Sequence, residues 1–284
     1  MVGAGGQLGR ALVASVPHAV TLSAFDRSAL DLADADAVAR ALDEARPDIL
    51  FNAAAYTAVD AAESDADAAY ALNRDAVTTL AHAAERVGAR LVHVSTDFVF
   101  DGTRSTPYPP DAAPMPLGVY GRSKAQGEAA ALASPGALVV RTAWVYAAQG
   151  RNFVLTMLKL MRERPELRVV ADQIGTPTHA ASLARALWRL AGARAAGIYH
   201  YTDAGIASWY DFAVAIAEEA HALQLIPNLP RITPIATHDY PTPARRPAYG
   251  VLDTSATWAT LGHPAAHWRV ELRAMLGQLV AQHG

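Results

Sequence analysis

The sequence predicts a doubly wound α/β fold: a parallel sheet with helices on both faces, followed by a smaller C-terminal lobe. Three observations predict it. Apolar runs bounded by turn residues alternate with alanine-rich helical runs through the first half of the chain, and such alternation folds into right-handed strand–helix–strand units. Polar residues (Asp26, Asn52, Thr96, Thr142) stand at the ends of the apolar runs, where sheets of this kind bind ligands. After Tyr146 the alternation loosens and proline becomes frequent from Pro227 to Pro247. The expected division is residues 1–146 as the main domain, with part of 170–201 returning to it, and 147–284 mostly as the second lobe.

In order, Ala19–Phe25 reads as a strand ending at Asp26, and Ala35–Arg46 as a helix closed by Pro47. Asp48–Phe51 is a short buried strand ending at Asn52. Ser64–Val87 is one or two helices closed by Gly88, and Arg90–Val94 is a strand running into Ser95-Thr96-Asp97. A proline-rich loop over Thr103–Pro116 precedes a helix over Val119–Leu132 and a strand over Ala137–Arg141. Beyond it, helices are expected over Asn152–Arg162, Ala180–Leu190, Ser208–Ala220 and Trp268–Val280, with Ser208 as an N-cap. Short strands are expected over Arg168–Val170 and Gly197–Tyr201.

Composition removes several function classes. The 284 residues are 52% apolar, enough for a sizeable core, and carry a formal charge of −3. That charge argues against a nucleic-acid-binding surface. No cysteine is present, which excludes disulfides, thiolate metal sites and thiol nucleophiles; the ten histidines form no His-Glu-x-x-His pair. The first residues have neither the basic nor the apolar region of a signal peptide. No apolar run approaches the roughly 18 residues of a membrane span. The expectation is a soluble, cytoplasmic protein.

Gly3-Ala4-Gly5-Gly6-Gln7-Leu8-Gly9 precedes a helical stretch, with Gly3, Gly6 and Gly9 at intervals of three. Glycines so placed allow a tight turn and close approach to a pyrophosphate seated on the helix N-terminus; an ordinary glycine-rich turn is the alternative. Such a loop follows a strand of about five residues, yet only Met1 and Val2 precede Gly3. The expectation is therefore a truncated first strand, with the true start several codons upstream or the sequence itself cut short. At the end of the next strand, Asp26 suits the adenosine ribose hydroxyls of NAD, and Arg27 suits the 2′-phosphate of NADP. Both are present, so the cofactor is NADPH or NADH. Asp31 and Leu32 could hold the adenine edge; turn and cap roles are the alternative for all four.

Tyr120-Gly-Arg-Ser-Lys124 opens a helix, and a spacing of four puts both side chains on one face. None of the other nine tyrosines has a lysine four residues on, and lysine occurs only at 124 and 159. Reducing a ketone by hydride leaves an alkoxide that must be protonated. Tyrosine is a weak acid, and a nearby ammonium brings its pKa towards working pH. Thr96, at a strand end, can orient the carbonyl oxygen against the tyrosine.

At these residues the chain resembles the extended short-chain dehydrogenase/reductase family and, within it, the dTDP-4-dehydrorhamnose reductases. The resemblance rests on Gly3–Gly9, on the run from Asn52 to Asp60, on Ser95-Thr-Asp-Phe-Val-Phe-Asp-Gly102, and on Pro107-Tyr108. It continues through Tyr120–Lys124 into Gly127-Glu128, Arg141-Thr-Ala-Trp-Val-Tyr146, Asn152-Phe153, Asp172–Thr178, Gly197–His200 and Arg246-Pro247, covering nearly the whole chain. It implies a Rossmann-type fold and reduction of the C4 ketone of dTDP-4-dehydro-L-rhamnose to dTDP-L-rhamnose by NADPH or NADH. By matching positions, Thr96, Tyr120 and Lys124 would be catalytic, with Tyr120 and Lys124 also touching the cofactor. Gly3, Gly6, Gln7, Leu8 and Gly9 would meet the pyrophosphate. Asp26, Arg27, Asp31 and Leu32 would meet adenosine, and Ala53, Ala54 and Ala55 would line the dinucleotide. Thr96, Asp97 and Trp144 would touch the sugar.

Several positions depart from the family pattern. Ala147 replaces a glycine, Pro109-Pro110-Asp111 replaces a more acidic stretch, and Ala248-Tyr249-Gly250 stands where Asn and Ser are expected. Some members dimerise through Mg²⁺ held partly by a carboxylate after the glycine loop; that position is Ala11, so no metal site is expected, and the chain should be a monomer or weak homodimer. Phe98 stands where sugar 4,6-dehydratases carry a second acid, and the absence of cysteine speaks against a fucose-type epimerase–reductase. Another nucleotide-sugar 4-reductase or 4-epimerase stays open. So does a non-enzymatic NADP-binding subunit like the β subunit of methionine adenosyltransferase.

Overall fold

The computed structural model describes residues 1–283. Its central sheet is wholly parallel. Strands β1 (Ile49–Asn52), β2 (Arg90–Thr96) and β3 (Leu138–Thr142) lie side by side, and Gly197–His200 extends the sheet beyond β3. On the other side of β1, Val2 bridges both Asn52 and Phe25. Val2 donates to the Phe51 carbonyl at 2.9 Å, and Phe25 donates to the Met1 carbonyl at 2.9 Å. Read across, the strands run outward from Val2 in two directions. The reversal lies between Val2 and β1, and it opens the crevice in which Rossmann-type sheets bind nucleotides.

Alternate side chains fill opposite faces, as the two-residue strand period requires. Leu50, Leu91 and Val139 pack with helices α1 (Ala35–Ala45) and α2 (Ala76–Val87). Phe51, Val92, Leu138 and Val140 pack with Leu8 and Leu12 and with Leu183 and Leu187 of the helix Ala180–Gly192. Asp34 caps α1 by accepting from Ala37 N–H, and Gly88 closes α2 at φ +75°. A separate core joins Met157, Leu158, Leu167, Phe212, Ile216, Leu272 and Leu276, from elements that follow Tyr146.

Three elements differ from expectation. Among the described residues Ala19–Phe25 contributes a single bridge, from Phe25 to Val2, and no longer ladder. The Ser64–Val87 run contains a π-turn over Ala71–Asp75. There the buried Asn73 side chain accepts from Tyr56 N–H (2.8 Å) and donates to the Tyr56 carbonyl and Ser123 Oγ. A Cβ on Gly127 would lie 2.0 Å from the Asn73 carbonyl oxygen, so this glycine sets how closely helix Val119–Leu132 approaches. Arg231–Ile235 pairs in parallel with Glu166–Val170; its proline-rich setting hid it. Among the described residues no helix is long and apolar enough to cross a membrane.

Candidate active site

The glycine loop sits in the crevice beside Val2. Gly3 has φ +83°, and a Cβ there would lie 2.5 Å from Ala54 N. A Cβ on Gly9 would lie 2.0 Å from the Gly3 carbonyl oxygen. Gly6, at the N-cap of helix Gln7–Ala14, offers no side chain to that helix, so its first N–H groups have no side-chain cap. Leu8 is buried under the loop, and Gln7 Oε1 accepts from Asn152 Nδ2 at 2.7 Å, which ties the loop to the cap of helix Phe153–Glu163. Ala53 donates to the Val2 carbonyl, and Ala54 donates to Asn52 Oδ1 at 3.0 Å. The structure thus brings Gly3–Gly9 and Ala53–Ala54 together in a backbone-lined cradle that suits a pyrophosphate. At the same end of the sheet the buried hydroxyl of Thr142, register partner of Thr96, has no hydrogen-bond partner among the described residues. Both features fit a bound dinucleotide.

Asp26 and Arg27 are exposed at the outer end of this crevice. Asp26 Oδ1 already accepts from Ser28 N–H, Ser28 Oγ–H and Ala29 N–H, and these bonds, Ser28's first, hold its pKa below the ordinary value. Asp31 likewise closes a turn by accepting from Ala33 N–H (3.0 Å). Leu32 is buried with Leu30 against Val38 and Leu42. The turn roles of Asp26 and Asp31 and the core role of Leu32 are therefore realised.

Thr96 ends β2 and caps the 3₁₀ turn Asp97–Val99 by accepting from Phe98 N–H at 3.2 Å. Its own hydroxyl donates to Asp97 Oδ1 at 3.0 Å. Tyr120 and Lys124 stand one turn apart on helix Val119–Leu132, both buried. The helix reaches the Asp97–Val99 turn closely because residue 121 is glycine: a Cβ there would lie 2.2 Å from the Phe98 carbonyl oxygen. Tyr120, Thr96 and Asp97 thereby converge. Burial pushes the Tyr120 phenol up to about 12; its hydrogen bond with Thr96 opposes the rise and Asp97 adds to it. Burial also pushes Asp97 up to about 7.

Lys124 behaves differently from expectation. Its Nζ donates to the Val94 carbonyl at 2.7 Å and faces His93 Nε2 at 3.4 Å. Burial lowers its pKa to about 8, against the opposing pull of Glu128. In the protein alone the amine is turned into β2, and the phenol stands above its ordinary value rather than below it. Glu128, one turn further on, forms a buried bidentate pair with Arg141 (2.9 and 2.7 Å).

Asp97, Trp144, Gln173, Trp209, Arg246 and Gly250 line a small recess. Trp144, at φ +48°, stacks on Trp209 with ring centroids 3.6 Å apart. Gln173, Trp209 and Arg246 also border an open cleft of about 840 Å³ that reaches Arg164, Arg168 and Tyr240. Arg246 is held by a bidentate pair with Asp60 (3.1 and 2.7 Å). A Cβ on Gly250 would lie 2.6 Å from Asp97 Oδ2, so this departure from the family pattern leaves room beside the carboxyl. Sequence reasoning missed Trp209 and His93. An imidazole inside the otherwise apolar run Leu91–Val94 was a signal for the second; nothing local marked the first.

An open parallel sheet with a glycine cradle at its reversal, and a Tyr-x-x-x-Lys helix beside it, defines an extended short-chain dehydrogenase/reductase. Comparison with known proteins narrows this. Residues 1–281 match the family described as RmlD substrate binding domain. A dTDP-4-dehydrorhamnose reductase from Burkholderia thailandensis is 44% identical, with 99% of each chain covered, and one from Escherichia coli is 38% identical, covering 98% of this chain and 97% of that one. A solved dTDP-4-dehydrorhamnose reductase from Clostridium acetobutylicum superposes with TM-score 0.92 at 37% identity, covering 98% of both chains. One from Bacillus anthracis, solved in complex with NADP, gives 0.91 at 34%, covering 98% of this chain and 97% of that one. The chain belongs to the dTDP-4-dehydrorhamnose reductase family.

Proposed function

We propose that this protein reduces the C4 ketone of dTDP-4-dehydro-L-rhamnose to give dTDP-L-rhamnose, with NADPH or NADH as reductant. The observation that carries the reading is the convergence of Thr96, Tyr120 and Asp97 between the glycine cradle and the tryptophan-lined recess. The reduced nicotinamide, when bound, supplies the hydride. Gly3, Gly6, Gln7, Leu8 and Gly9 would hold its pyrophosphate through backbone N–H groups, and Ala53, Ala54 and Ala55 would line the dinucleotide. Asp26 Oδ2 and Arg27 would meet the adenosine ribose, with Asp31 and Leu32 behind them.

Tyr120 donates its phenolic proton to the C4 oxygen as negative charge develops there. A phenol held near 12 stays protonated until that moment. Thr96 orients the ketone oxygen against Tyr120. Lys124, across one helical turn, stabilises the phenolate left behind when it takes up a proton and becomes an ammonium. Asp97 and Trp144 hold the sugar, and the arginine-bordered cleft suits the nucleoside diphosphate. On this reading residues 1–146, with part of 170–201, form the cofactor-binding domain, and most of 147–284 covers the substrate. The protein would act in the cytoplasm, as a monomer or weak homodimer.

The test is oxidation of NADPH and NADH in the presence of dTDP-4-dehydro-L-rhamnose made in place from its precursor. Turnover to dTDP-L-rhamnose is expected, and the coenzyme ratio reports on Asp26 against Arg27. Cofactor binding without turnover of this or any related dTDP-4-keto sugar would refute the reductase reading.

A further inference from the structure

A chain of buried polar groups leads from the glycine cradle to Lys124. Ala54, against which Gly3 packs, donates its N–H to Asn52 Oδ1 at 3.0 Å. That bond fixes the orientation of the amide, because a backbone N–H cannot accept. Asn52 Nδ2 is then the atom facing His93 Nδ1, at 3.1 Å, and it must donate. A neutral imidazole that accepts at Nδ1 carries its proton on Nε2, a tautomer assigned here from the hydrogen-bond network. Nε2 faces Lys124 Nζ at 3.4 Å, while Nζ donates on its other side to the Val94 carbonyl. His93 and Asn52 are buried, so water does not compete for these groups.

We infer that His93 is a positioning residue for Lys124: locked by Asn52 as the Nε2–H tautomer, it holds the amine against the Val94 carbonyl and favours its neutral form. An N–H directed at a neutral amine meets a lone pair. Directed at an ammonium, it meets another donor. Moving the imidazole proton to Nδ1 would only shift the conflict to Asn52 Nδ2. Protonating Lys124 therefore sets donor against donor at one end of the chain or the other. The lowered pKa values of His93 and Lys124, both caused first by burial, agree with this arrangement. Because the chain ends at a backbone N–H, it holds a proton pattern without conducting one.

Other charges face Lys124 as well. Glu128 lies one turn on and pulls its pKa upward, though its carboxylate is shared with Arg141. Tyr120 lies one turn back with Asp97 beyond it. Glu63 accepts from Val119 N–H at the start of the helix, and the exposed Arg74–Asp75 pair of the π-turn meets its outer side through Gln126. None of these supplies a donor to the amine lone pair, so the effect of His93 is separable from theirs.

The inference rests on Lys124 belonging to the reaction site, but its test needs no turnover. The protein is labelled with ¹⁵N-histidine and ¹³C-lysine and studied by NMR without ligand. Only two lysine signals exist, and Lys159→Arg assigns them; His93→Leu assigns the imidazole. The expected result is His93 protonated on Nε2 alone from pH 5 to 9, with Lys124 titrating at about 8, below the ordinary lysine value. In His93→Leu the Lys124 midpoint should rise by about one unit, a tenfold change in the protonation constant. Asn52→Asp, which turns an acceptor towards Nδ1, should move the imidazole proton to Nδ1 and also raise the Lys124 midpoint. A wild-type imidazole protonated on Nδ1 overturns the inference. So does a Lys124 midpoint that stays put when Asn52→Asp moves the proton. A merely structural histidine would leave the lysine titration unmoved in His93→Leu, the variant that adds no charge, whether or not the protein turns over its sugar.

Discussion

Asp97 is a carboxyl kept where a carboxylate is unwelcome, and the consequence for stability can be worked out. It is 2% exposed, and burial raises its pKa from the ordinary 3.8 to about 7. The folded protein therefore binds more protons than the unfolded chain between these values. Stability from this group is fully present below about pH 4 and is lost as pH rises through 7. The whole shift corresponds to on the order of 4 kcal/mol, at 1.36 kcal/mol per unit. About 2.7 kcal/mol of it falls between pH 5 and pH 8. Asp97→Asn removes the titration while keeping an oxygen to accept from Thr96. Whatever the new amide N–H groups lose for want of acceptors is the same at both pH values. The stability of the variant relative to the wild type should thus improve by about 2.7 kcal/mol from pH 5 to pH 8, roughly 5–10 °C in relative Tm. Asp203 is also raised to about 7 by burial, but it is present in both proteins and cancels. The assay is urea unfolding of both proteins at the two pH values. Parallel stability profiles would refute the reasoning and show that Asp97 is ionised in the fold well below pH 7.

Three further outcomes are expected. Tyr120→Phe should lower kcat by about 10²–10⁴-fold while leaving NADPH affinity nearly unchanged, measured by nicotinamide absorbance and by fluorescence titration; full activity would remove the proton-donor assignment. Gly9→Ala, whose Cβ would meet the Gly3 carbonyl at 2.0 Å, should weaken NADPH binding at least about tenfold because the loop must open; unaltered affinity in the same titration would show that the loop is not the pyrophosphate cradle. Glu128→Gln should destabilise the protein by about 3–5 kcal/mol in urea unfolding, because Arg141 stays buried without its counter-charge. Glu128→Met with Arg141→Met should lose less than that single change, and additive losses would contradict the account.

Much of the fold was readable from residues that act on their immediate neighbours. Asp34 and Gly88 mark helix ends because capping and left-handed closure are local events. Leu91, Val92 and Val94 read as a strand because both faces of that strand are covered. Phe25 shows the limit: its run has strand composition, but a ladder is made by partners rather than by composition, and among the described residues this run bridges only at Phe25, to Val2. Arg231–Ile235 shows the converse, since Pro234 spoils its local signal while pairing with Glu166–Val170 supplies the structure.

The site divides in the same way. The placing of Thr96 at a strand end and of Tyr120 and Lys124 on one helix was legible because a strand end and a spacing of four are short-range features. Trp209 and Arg246 reach the recess only through packing of the later chain against the sheet. The protonation state of the site is less local still. Tyr120 and Lys124 share a helical face because of their spacing, which suggests an ammonium lowering the pKa of a phenol. In the folded chain the amine turns instead to the Val94 carbonyl, beside an imidazole whose tautomer is set by Asn52 and, through it, by the N–H of Ala54. Sequence spacing decides which groups can meet. Which of them carries the proton is decided by acceptors and donors that arrive from other strands, so it is to be sought in the buried hydrogen-bond network rather than in the motif.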